Sequence, residues 1–299
     1  MKELQTIGDF IRWGASQFNQ ANLFFGHGTD NAVDEATTLV VYALHLPQEL
    51  PDILWHSKLT YPEKQKIIEF FNIRIAKNIP SPYITKEAWF TNLSFYVNQH
   101  VLIPRSPIAE LIEQRFEPWM DYSNSIKMLD LCTGSGCIAI ASSILAFPNT
   151  VIDATDISYD ALDVAKKNVS TYGLEQKINL IQSNLFSNLG NKLYNLIVSN
   201  PPYVDVEELK NMPLEYTHEP KIGLAAGTDG LFFVEQILRH ATKHLTSDGI
   251  LIVEVGLSQT NLIKRYPDVP FTWLKFQRGG EGVFLLTYEQ LCHLNQVEV

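Results

Sequence analysis

The sequence of 299 residues has little of what secreted, metal-binding or membrane-spanning proteins require. Its three cysteines include no Cys-x-x-Cys pair, so the sequence offers neither a disulfide framework nor a zinc site. The longest apolar run, residues 137–147, contains two serines and is too short to cross a bilayer. The first residues also lack the apolar segment of a secretory signal. We therefore expect a cytoplasmic protein without a metal centre.

Basic residues are also in short supply. The chain carries 23 Lys and Arg against 33 Asp and Glu, a net charge of −10 at pH 7. Broad nucleic-acid binding needs a basic surface, so the composition argues against it. Most of the acidic excess follows residue 105, where charges at the mouth of a site would attract a basic partner. A merely solvated acidic surface is the alternative for this group, which consists of Asp205, Glu207, Glu208, Glu215 and Glu219.

The most informative motif is Asn200-Pro201-Pro202-Tyr203, which follows the apolar run 194–199. Such a run predicts a buried parallel strand, and α/β sheets bind ligands beyond the carboxyl ends of their strands. The two prolines stiffen the backbone and remove two N–H donors, while the carbonyls and the Asn200 amide oxygen remain as acceptors. With the flat ring of Tyr203 beside them, these acceptors suit a planar group that carries an NH2. A turn that merely ends the strand is the alternative.

A second motif, residues 128–140, predicts a strand, a glycine-rich loop and a helix. Gly134 allows a tight turn with positive φ, and Gly136 would let a ligand approach the backbone. A Gly-x-Gly pattern alone fits nicotinamide dinucleotides, flavins or S-adenosylmethionine. Asp130, just before the loop, favours S-adenosylmethionine, because a carboxylate repels a pyrophosphate and attracts an ammonium or sulfonium group.

Two further strand ends supply polar side chains to the same edge. Asp156 ends the run 151–156 at a spacing that suits an acceptor for ribose hydroxyls, although it could instead cap the following helix. Ser158 is an alternative cap for that helix. The run 177–183 precedes Asn184, whose side-chain oxygen can accept a hydrogen bond from an adenine amino group.

The chain divides by pattern into a helical and an α/β part. Residues 7–18, 32–46 and 62–78 have helical spacing, with Asp30 or Asn31 and Thr60 as caps. Alternation over 87–102 predicts a hairpin. Strands and helices then alternate, which predicts a doubly wound parallel sheet ending in an antiparallel hairpin near 271–287. The predicted boundaries are a helical substrate-recognition domain at 1–85, a hairpin linker at 86–105 and a catalytic domain at 106–299.

These motifs together resemble the protein-(glutamine-N5) methyltransferases. The resemblance covers nearly the whole chain and rests on residues 101–107, the loop after Asp130, residues 199–203 and Gly227-Thr228-Asp229-Gly230. It implies the seven-stranded, Rossmann-like fold of S-adenosylmethionine-dependent methyltransferases and that methyl donor as cofactor. The implied catalytic residues are Asn200, Pro201, Pro202 and Tyr203. The implied cofactor-binding residues are Asp130, Cys132, Thr133, Gly134, Ser135, Gly136, Asp156, Ile157, Asn184, Leu185 and Asn200. The family usually has Asp where this chain has Asn184.

Within that family, one branch modifies peptide-chain release factors and another modifies large-subunit ribosomal protein L-three. This chain has Pro104-Arg105-Ser106-Pro107 where the release-factor branch typically has Pro-Arg-Pro-x-Thr-Glu. Residues 131–137, His218-Glu219-Pro220 and 266–273 also resemble the ribosomal-protein branch. The resemblance therefore implies N5-methylation of a glutamine in L-three. Release factors are the alternative substrate, and methylation of adenine N6 in nucleic acid, which shares the Pro-Pro-Tyr motif, is a weaker one. A nucleotide-binding or adaptor protein without catalysis is the remaining alternative.

Overall fold

The computed structural model describes residues 3–47, 49–120 and 126–297. The chain forms two compact units that are not contiguous in sequence. The first unit contains residues 1–88, 97–99 and 213–218, and the second contains residues 89–96, 100–212 and 219–299. In the part of the chain that the structure describes, no helix is both long and apolar enough to cross a membrane. The domain boundaries given above, and the recognition role of residues 1–85, stay predictions.

The first unit is built mainly from helices that bury one apolar face. Their bounds are α1 Ile7–Gln20, α2 Ala32–Ala43, α3 Asp52–Trp55, α4 Tyr61–Lys77 and α5 Ser81–Thr85. Asn31 caps α2 by accepting hydrogen bonds from two backbone N–H groups, and Thr60 begins α4 with a capping box. Both predicted caps are therefore confirmed. The core of the unit consists of apolar side chains such as Phe10, Phe18 and Phe71, which α1 and α4 contribute.

A buried ion cluster lies inside this first unit. Arg74 of α4, whose side chain is 1% exposed, pairs with Glu35 of α2 at 2.9 Å and with Glu215 at 3.1 Å. Glu215 also accepts a hydrogen bond from the backbone N–H of Phe24. The cluster therefore ties the distant segment 213–218 to the helices of the first unit.

The second unit is built around a seven-stranded sheet. The hairpin strands that precede this sheet are β1 Glu87–Phe90 and β2 Leu93–Tyr96, which form a separate two-stranded sheet. The seven strands are β3 Met128–Leu131, β4 Ile152–Asp156, β5 Ile178–Gln182, β6 Tyr194–Ser199, β7 Leu245–Glu254, β8 Thr272–Trp273 and β9 Val283–Thr287. Their order is β5-β4-β3-β6-β7-β9-β8, and β9 runs antiparallel to both of its neighbours. The predicted Rossmann-like sheet with a late antiparallel strand is confirmed.

The sheet is buried on both faces, as the continuous apolar runs predict. Along β3, Met128 belongs to one core and Leu129 to the other, because neighbouring strand residues point to opposite faces. The helices of this unit are α6 Ile108–Glu113, α7 Cys137–Ala141, α8 Tyr159–Thr171, α9 Val206–Asn211, α10 Phe232–Ala241, α11 Gln259–Arg265 and α12 Tyr288–Val297. A single π-helical turn, Ser142–Ala146, continues α7.

Three local expectations differ from the structure. The apolar spacing over residues 231–245 predicts one helix, but α10 ends at Ala241, because Leu245 begins β7 and pairs with Tyr194. The apolar run 250–255 predicts a strand, but β7 is longer because it begins at Leu245, and its pairing with β6 is irregular between Tyr194 and Leu196. The sequence analysis also did not predict α12.

The strand order fixes where a ligand can bind. Strands β3 and β6 are neighbours, and the chain leaves β3 towards β4 but leaves β6 towards β7, on opposite sides of the pair. Loops at the carboxyl ends of β3 and β6 therefore diverge and leave a crevice, the usual binding position in open α/β sheets.

Candidate active site

A cavity of about 220 Å³ lies among residues of the second unit that follow the carboxyl ends of β3, β4, β5 and β6. Its walls come from six segments of the chain and one helical side chain. They are residues 100–106, 132–138 (in part), 155–158, 183–185, 200–204, 220–224 (in part) and Phe233. The lining residues include every predicted site residue except Asp130 and Gly136.

The glycine loop, residues 132–136, forms one wall of the cavity. Three of its residues have positive φ: Cys132 at 65°, Gly134 at 55° and Gly136 at 81°. A Cβ atom at Gly134 would meet no heavy atom within 4 Å, so this glycine faces open space. A Cβ at Gly136 would instead lie 3.3 Å from the Cβ of Ala165 in α8. The absence of a side chain at Gly136 therefore lets α8 pack closely, and the approach of a ligand to its backbone stays a prediction.

Asp130 supports the glycine loop from below and does not line the cavity. Its side chain is fully buried, and Oδ2 accepts hydrogen bonds from Thr133 Oγ1 at 2.5 Å and from the Ala139 N–H at 3.0 Å. Burial raises the pKa of Asp130 to about 7. The other oxygen, Oδ1, has no hydrogen-bond partner among the described residues. The structure thus gives Asp130 a bracing position, where the sequence predicted direct attraction to the donor.

Asp156 both lines the cavity and holds the glycine loop. Its Oδ2 accepts the backbone N–H of Gly134 at 2.9 Å, and its Oδ1 accepts that of Ser158 at the same distance. Burial raises the pKa of this carboxyl group. Ser158 caps α8 by accepting from the Ala161 N–H, which leaves Asp156 free of the capping role. Its neighbour Ile157 also lines the cavity.

The segment after β5 adds Asn184 and Leu185 to the lining. Leu185 has a φ of 48°, an uncommon conformation for a residue with a side chain. The turn is held by Ser183 Oγ, which donates to the Leu185 carbonyl at 2.6 Å and accepts from the Asn188 N–H at 3.0 Å. The side chain of Asn184 makes no hydrogen bond to another described residue, so its amide is available to a ligand.

The acceptor segment, residues 200–203, forms another wall. All four of its residues line the cavity. Neither the Asn200 side-chain amide nor the Pro201 carbonyl has a hydrogen-bond partner among the residues that the structure describes. Tyr203 is held at both ends, because its hydroxyl donates to Glu254 at 2.9 Å and its carbonyl accepts from Ser258 Oγ at 2.8 Å. Burial and the neighbouring Glu254 raise the pKa of Tyr203 well above its usual value.

The sequence analysis missed the residues that hold this segment. Glu254 ends β7 and accepts Ser106 Oγ at 2.5 Å as well as the Tyr203 hydroxyl. It is a carboxylate at a strand end, the feature that identified Asp156 from sequence, so the same rule would have found it. Arg105 was quoted in a motif but given no role, and Glu219 was expected only as one of the acidic residues at the mouth of the site. They form a two-point ion pair, with both N–O distances at 2.6 Å, that joins two lining segments.

The acidic group after the prolines does not act as one surface. Glu215 is 1% exposed and pairs with Arg74, whereas Glu219 is 3% exposed and pairs with Arg105. The expectation that these two residues line the mouth as free charges is wrong, because each is buried and paired with an arginine. Asp205 caps α9, and Glu207 remains exposed.

The cysteines of the site are not reactive thiols. Cys132 and Cys137 both line the cavity, and burial raises the pKa of each, for Cys137 to about 12. A thiol with a raised pKa is a poor nucleophile. Within residues 3–47, 49–120 and 126–297, no cluster of three His, Cys, Asp or Glu side chains could hold a metal ion.

The lining fits S-adenosylmethionine. Gly134 leaves open space above the loop, Asp156 offers a carboxylate for a diol, and Asn184 offers a free amide for an adenine edge. Ile157 and Leu185 supply apolar surface for a flat ring. The cavity lining is therefore polar where it would face the polar groups of the nucleoside and the amino acid, and apolar where the adenine ring would stack.

Comparisons with known proteins agree with this reading. The methyltransferase small domain family matches residues 114–215. A solved structure, the hMettl16 catalytic domain in complex with a MAT2A 3'UTR hairpin, is 17% identical and has a TM-score of 0.51. The match covers 80% of this chain and 87% of the hMettl16 chain. At 17% identity, it shows only that the two proteins share a fold.

Two curated relatives are much closer in sequence. The ribosomal protein uL3 glutamine methyltransferase of Francisella tularensis is 47% identical over 97% of this chain and 93% of its own length. The protein of the same name from Xanthomonas campestris has the same identity and the same coverage of both chains. The chain therefore belongs to the ribosomal protein uL3 glutamine methyltransferases.

Proposed function

We propose that this protein transfers a methyl group from S-adenosylmethionine to the side-chain nitrogen of a glutamine in the large-subunit ribosomal protein uL3, the L-three of the sequence analysis. Membership of the family supports the substrate, and the cavity supports the chemistry. The observation that carries the proposal is the pair of unpartnered acceptors, Asn200 and Pro201, in the same cavity as Asp156 and the glycine loop. We place the reaction in the cytoplasm, where ribosomal proteins are made.

The methyl donor would be held by residues at three strand ends. The glycine loop would contact it through its backbone, Asp156 would accept hydrogen bonds from the ribose hydroxyls, and Asn184 would accept one from the adenine amino group. When bound, S-adenosylmethionine supplies an electrophilic methyl group. Asp130 keeps the loop in shape, because it binds both Thr133 and the first turn of α7.

The acceptor segment would help a weakly nucleophilic amide nitrogen to attack the methyl group. An amide nitrogen is a poor nucleophile, since its lone pair is delocalised onto the carbonyl. The Asn200 side-chain oxygen and the Pro201 carbonyl would accept the two N–H bonds of the glutamine amide. Preorganised acceptors of this kind stabilise the positive charge that develops on the nitrogen as it attacks. Tyr203 would pack on the amide plane and limit its rotation, which supplies orientation.

No residue is assigned as a general base. Asp156 is the one carboxylate among the described residues that line the cavity, and both of its oxygens already accept backbone N–H groups. The proton would therefore leave the nitrogen for water after the methyl group has been transferred.

Labelling of purified substrates tests the proposal. Purified enzyme, labelled S-adenosylmethionine and free uL3 should yield one methylated glutamine, found by mass spectrometry of peptides. A release factor, assayed at the same concentration, is the comparison substrate and should be labelled far less. Labelling of the release factor with none of uL3 would overturn the substrate and leave the glutamine chemistry standing. A uL3 variant with Glu at the modified position should accept no label.

A further inference from the structure

Glu254 joins two walls of the cavity without lining it. This residue ends β7, is 3% exposed, and accepts one hydrogen bond at each carboxylate oxygen. Oε1 accepts the hydroxyl of Tyr203 at 2.9 Å, and Oε2 accepts Ser106 Oγ at 2.5 Å. Tyr203 belongs to the acceptor segment, while Ser106 belongs to the lining segment 100–106. One buried carboxylate thus holds both segments.

The Tyr203 ring is held by packing on one face and by the hydrogen bond of its hydroxyl to Glu254. A Cβ on Gly256 would lie 2.6 Å from Cε2 of Tyr203, so the ring rests directly on the backbone that follows Glu254. The backbone of Tyr203 is held separately by Ser258. Weakening of the hydroxyl contact would therefore leave the ring held by packing alone, while the backbone stays in place.

We propose that Glu254 is a positioning residue for methyl transfer, which orients Tyr203 through its ionised carboxylate and lets it loosen when that carboxylate takes up a proton. The inference rests on the proposed function, because it assigns Tyr203 to the glutamine amide. An ionised carboxylate can accept from Tyr203 and Ser106 together. A protonated one donates its hydrogen to one of the two hydroxyls, which then accepts, so the charge-assisted bonds to Glu254 become weaker neutral ones.

The surroundings of Glu254 place the protonation of its carboxylate near neutral pH. Burial is the largest influence and raises the pKa of Glu254 to about 7. The hydrogen bonds from Ser106 and Tyr203 and the positive charge of Arg105 act in the opposite direction and lower the pKa. Arg105 is itself paired with Glu219, and Glu208 acts on Tyr203 rather than on Glu254. The ionised form should predominate above about pH 7.

Replacement of the carboxylate tests the positioning role. Glu254→Gln mimics the protonated form and should lower kcat about tenfold, the scale of one charge-assisted hydrogen bond, with the KM for the methyl donor unchanged. In the wild type, kcat should fall as the pH drops below about 7 and approach the value of the variant, whose own profile lacks this step. Tyr203→Phe should lack the step too, and the double variant should lose nothing further. Glu69→Gln, an exposed pair partner, should keep the wild-type profile.

A measurement without substrate separates this inference from the proposed function. In protein labelled with ¹³C-tyrosine, the ring signal absent from Tyr203→Phe is that of Tyr203. It should shift with pH near 7 in the wild type and stay fixed in Glu254→Gln. Additive losses in the double variant, or a Tyr203 signal that titrates equally in both proteins, would overturn the positioning role. If uL3 were not a substrate, the signal would still titrate. If Glu254→Gln did not fold, the pH profile of kcat would be compared between wild type and Tyr203→Phe. The titration of the Tyr203 signal would then be compared between wild type and Ser106→Ala, which removes the other donor to Glu254.

Discussion

The glycine loop and the acceptor segment line one cavity, but they are held by different means. The glycine loop is held mainly through its backbone, since the N–H of Gly134 donates to Asp156 and the N–H of Thr133 to the Thr155 carbonyl, and the Thr133 hydroxyl adds a bond to Asp130. The acceptor segment is held largely by side chains, because Glu254 and Ser258 bind the two ends of Tyr203. A backbone-held loop presents N–H groups and shape to a ligand, whereas the acceptor segment keeps two free oxygens. The first suits a donor common to many enzymes, and the second suits one particular acceptor.

The two walls should therefore respond differently to mutation. Changes at the glycine loop should act on donor affinity, and changes at the acceptor segment should act on turnover.

Asn200→Ala should have the largest effect on turnover. It removes an acceptor that would act on the glutamine amide, so we expect kcat to fall on the order of 100-fold, as when one preorganised polar group is lost from an active site. Donor affinity, measured by calorimetry, should change little. Asn195→Ala removes an asparagine from β6, the strand that precedes Asn200, and should keep kcat. Full activity of Asn200→Ala on uL3 would remove the assigned role.

Asp156→Ala should weaken donor binding. The variant loses the carboxylate that would accept the ribose hydroxyls, and it also releases the N–H of Gly134. One charge-assisted hydrogen bond is worth about 1.5–3 kcal/mol, so the dissociation constant should rise by at least about tenfold. Asp156→Asn keeps the shape without the charge and should give an intermediate value by calorimetry. Equal affinity in a folded Asp156→Ala protein would argue against the ribose contact.

Two glycines provide a matched comparison of stability. A Cβ at Gly230 would lie 1.9 Å from Ser258 Oγ and 2.4 Å from the carbonyl of Tyr203, at a φ of 76°. Gly134 has a similar φ but open space around it. Gly134→Ala should cost about 1 kcal/mol of unfolding free energy through backbone strain, and Gly230→Ala about 3 kcal/mol through strain and overpacking. Equal losses in urea unfolding would show that the acceptor segment tolerates displacement.

Asp130→Asn should change how stability depends on pH. Burial raises the pKa of Asp130 from 3.8 in the unfolded chain to about 7, so its protonated form is favoured in the folded protein. The resulting stabilisation is complete below the unfolded pKa and is lost as pH rises through the folded one. The variant lacks this loss, so its stability relative to wild type should increase up to about pH 7 and then level off. A difference in unfolding free energy between Asp130→Asn and wild type that stays the same at every pH would contradict this. Asp163→Asn, a change at an exposed position, should give such a constant difference.

The comparison also explains what could be predicted from sequence. The glycine loop, strand β6 and the caps at Asn31, Thr60 and Ser158 depend on residues within a few positions, so their patterns are readable. The support of the acceptor segment is not local, since Glu254 and Ser258 follow Tyr203 by 51 and 55 residues. The wrong expectation for Glu215 has the same origin. Its partner Arg74 lies 141 residues away, and no pattern near Glu215 indicates burial.

The ion pair between Arg74 and Glu215 also bears on how such an enzyme can be recombined. Because segment 213–218 belongs to the first unit, a cut near residue 100 would not yield two self-sufficient fragments. The carboxyl-terminal fragment would keep Glu215 but lose the arginine that neutralises it, and a buried carboxylate without its partner is strongly destabilising. Exchange of the helical region between relatives would therefore succeed only if residues 213–218 were exchanged with it.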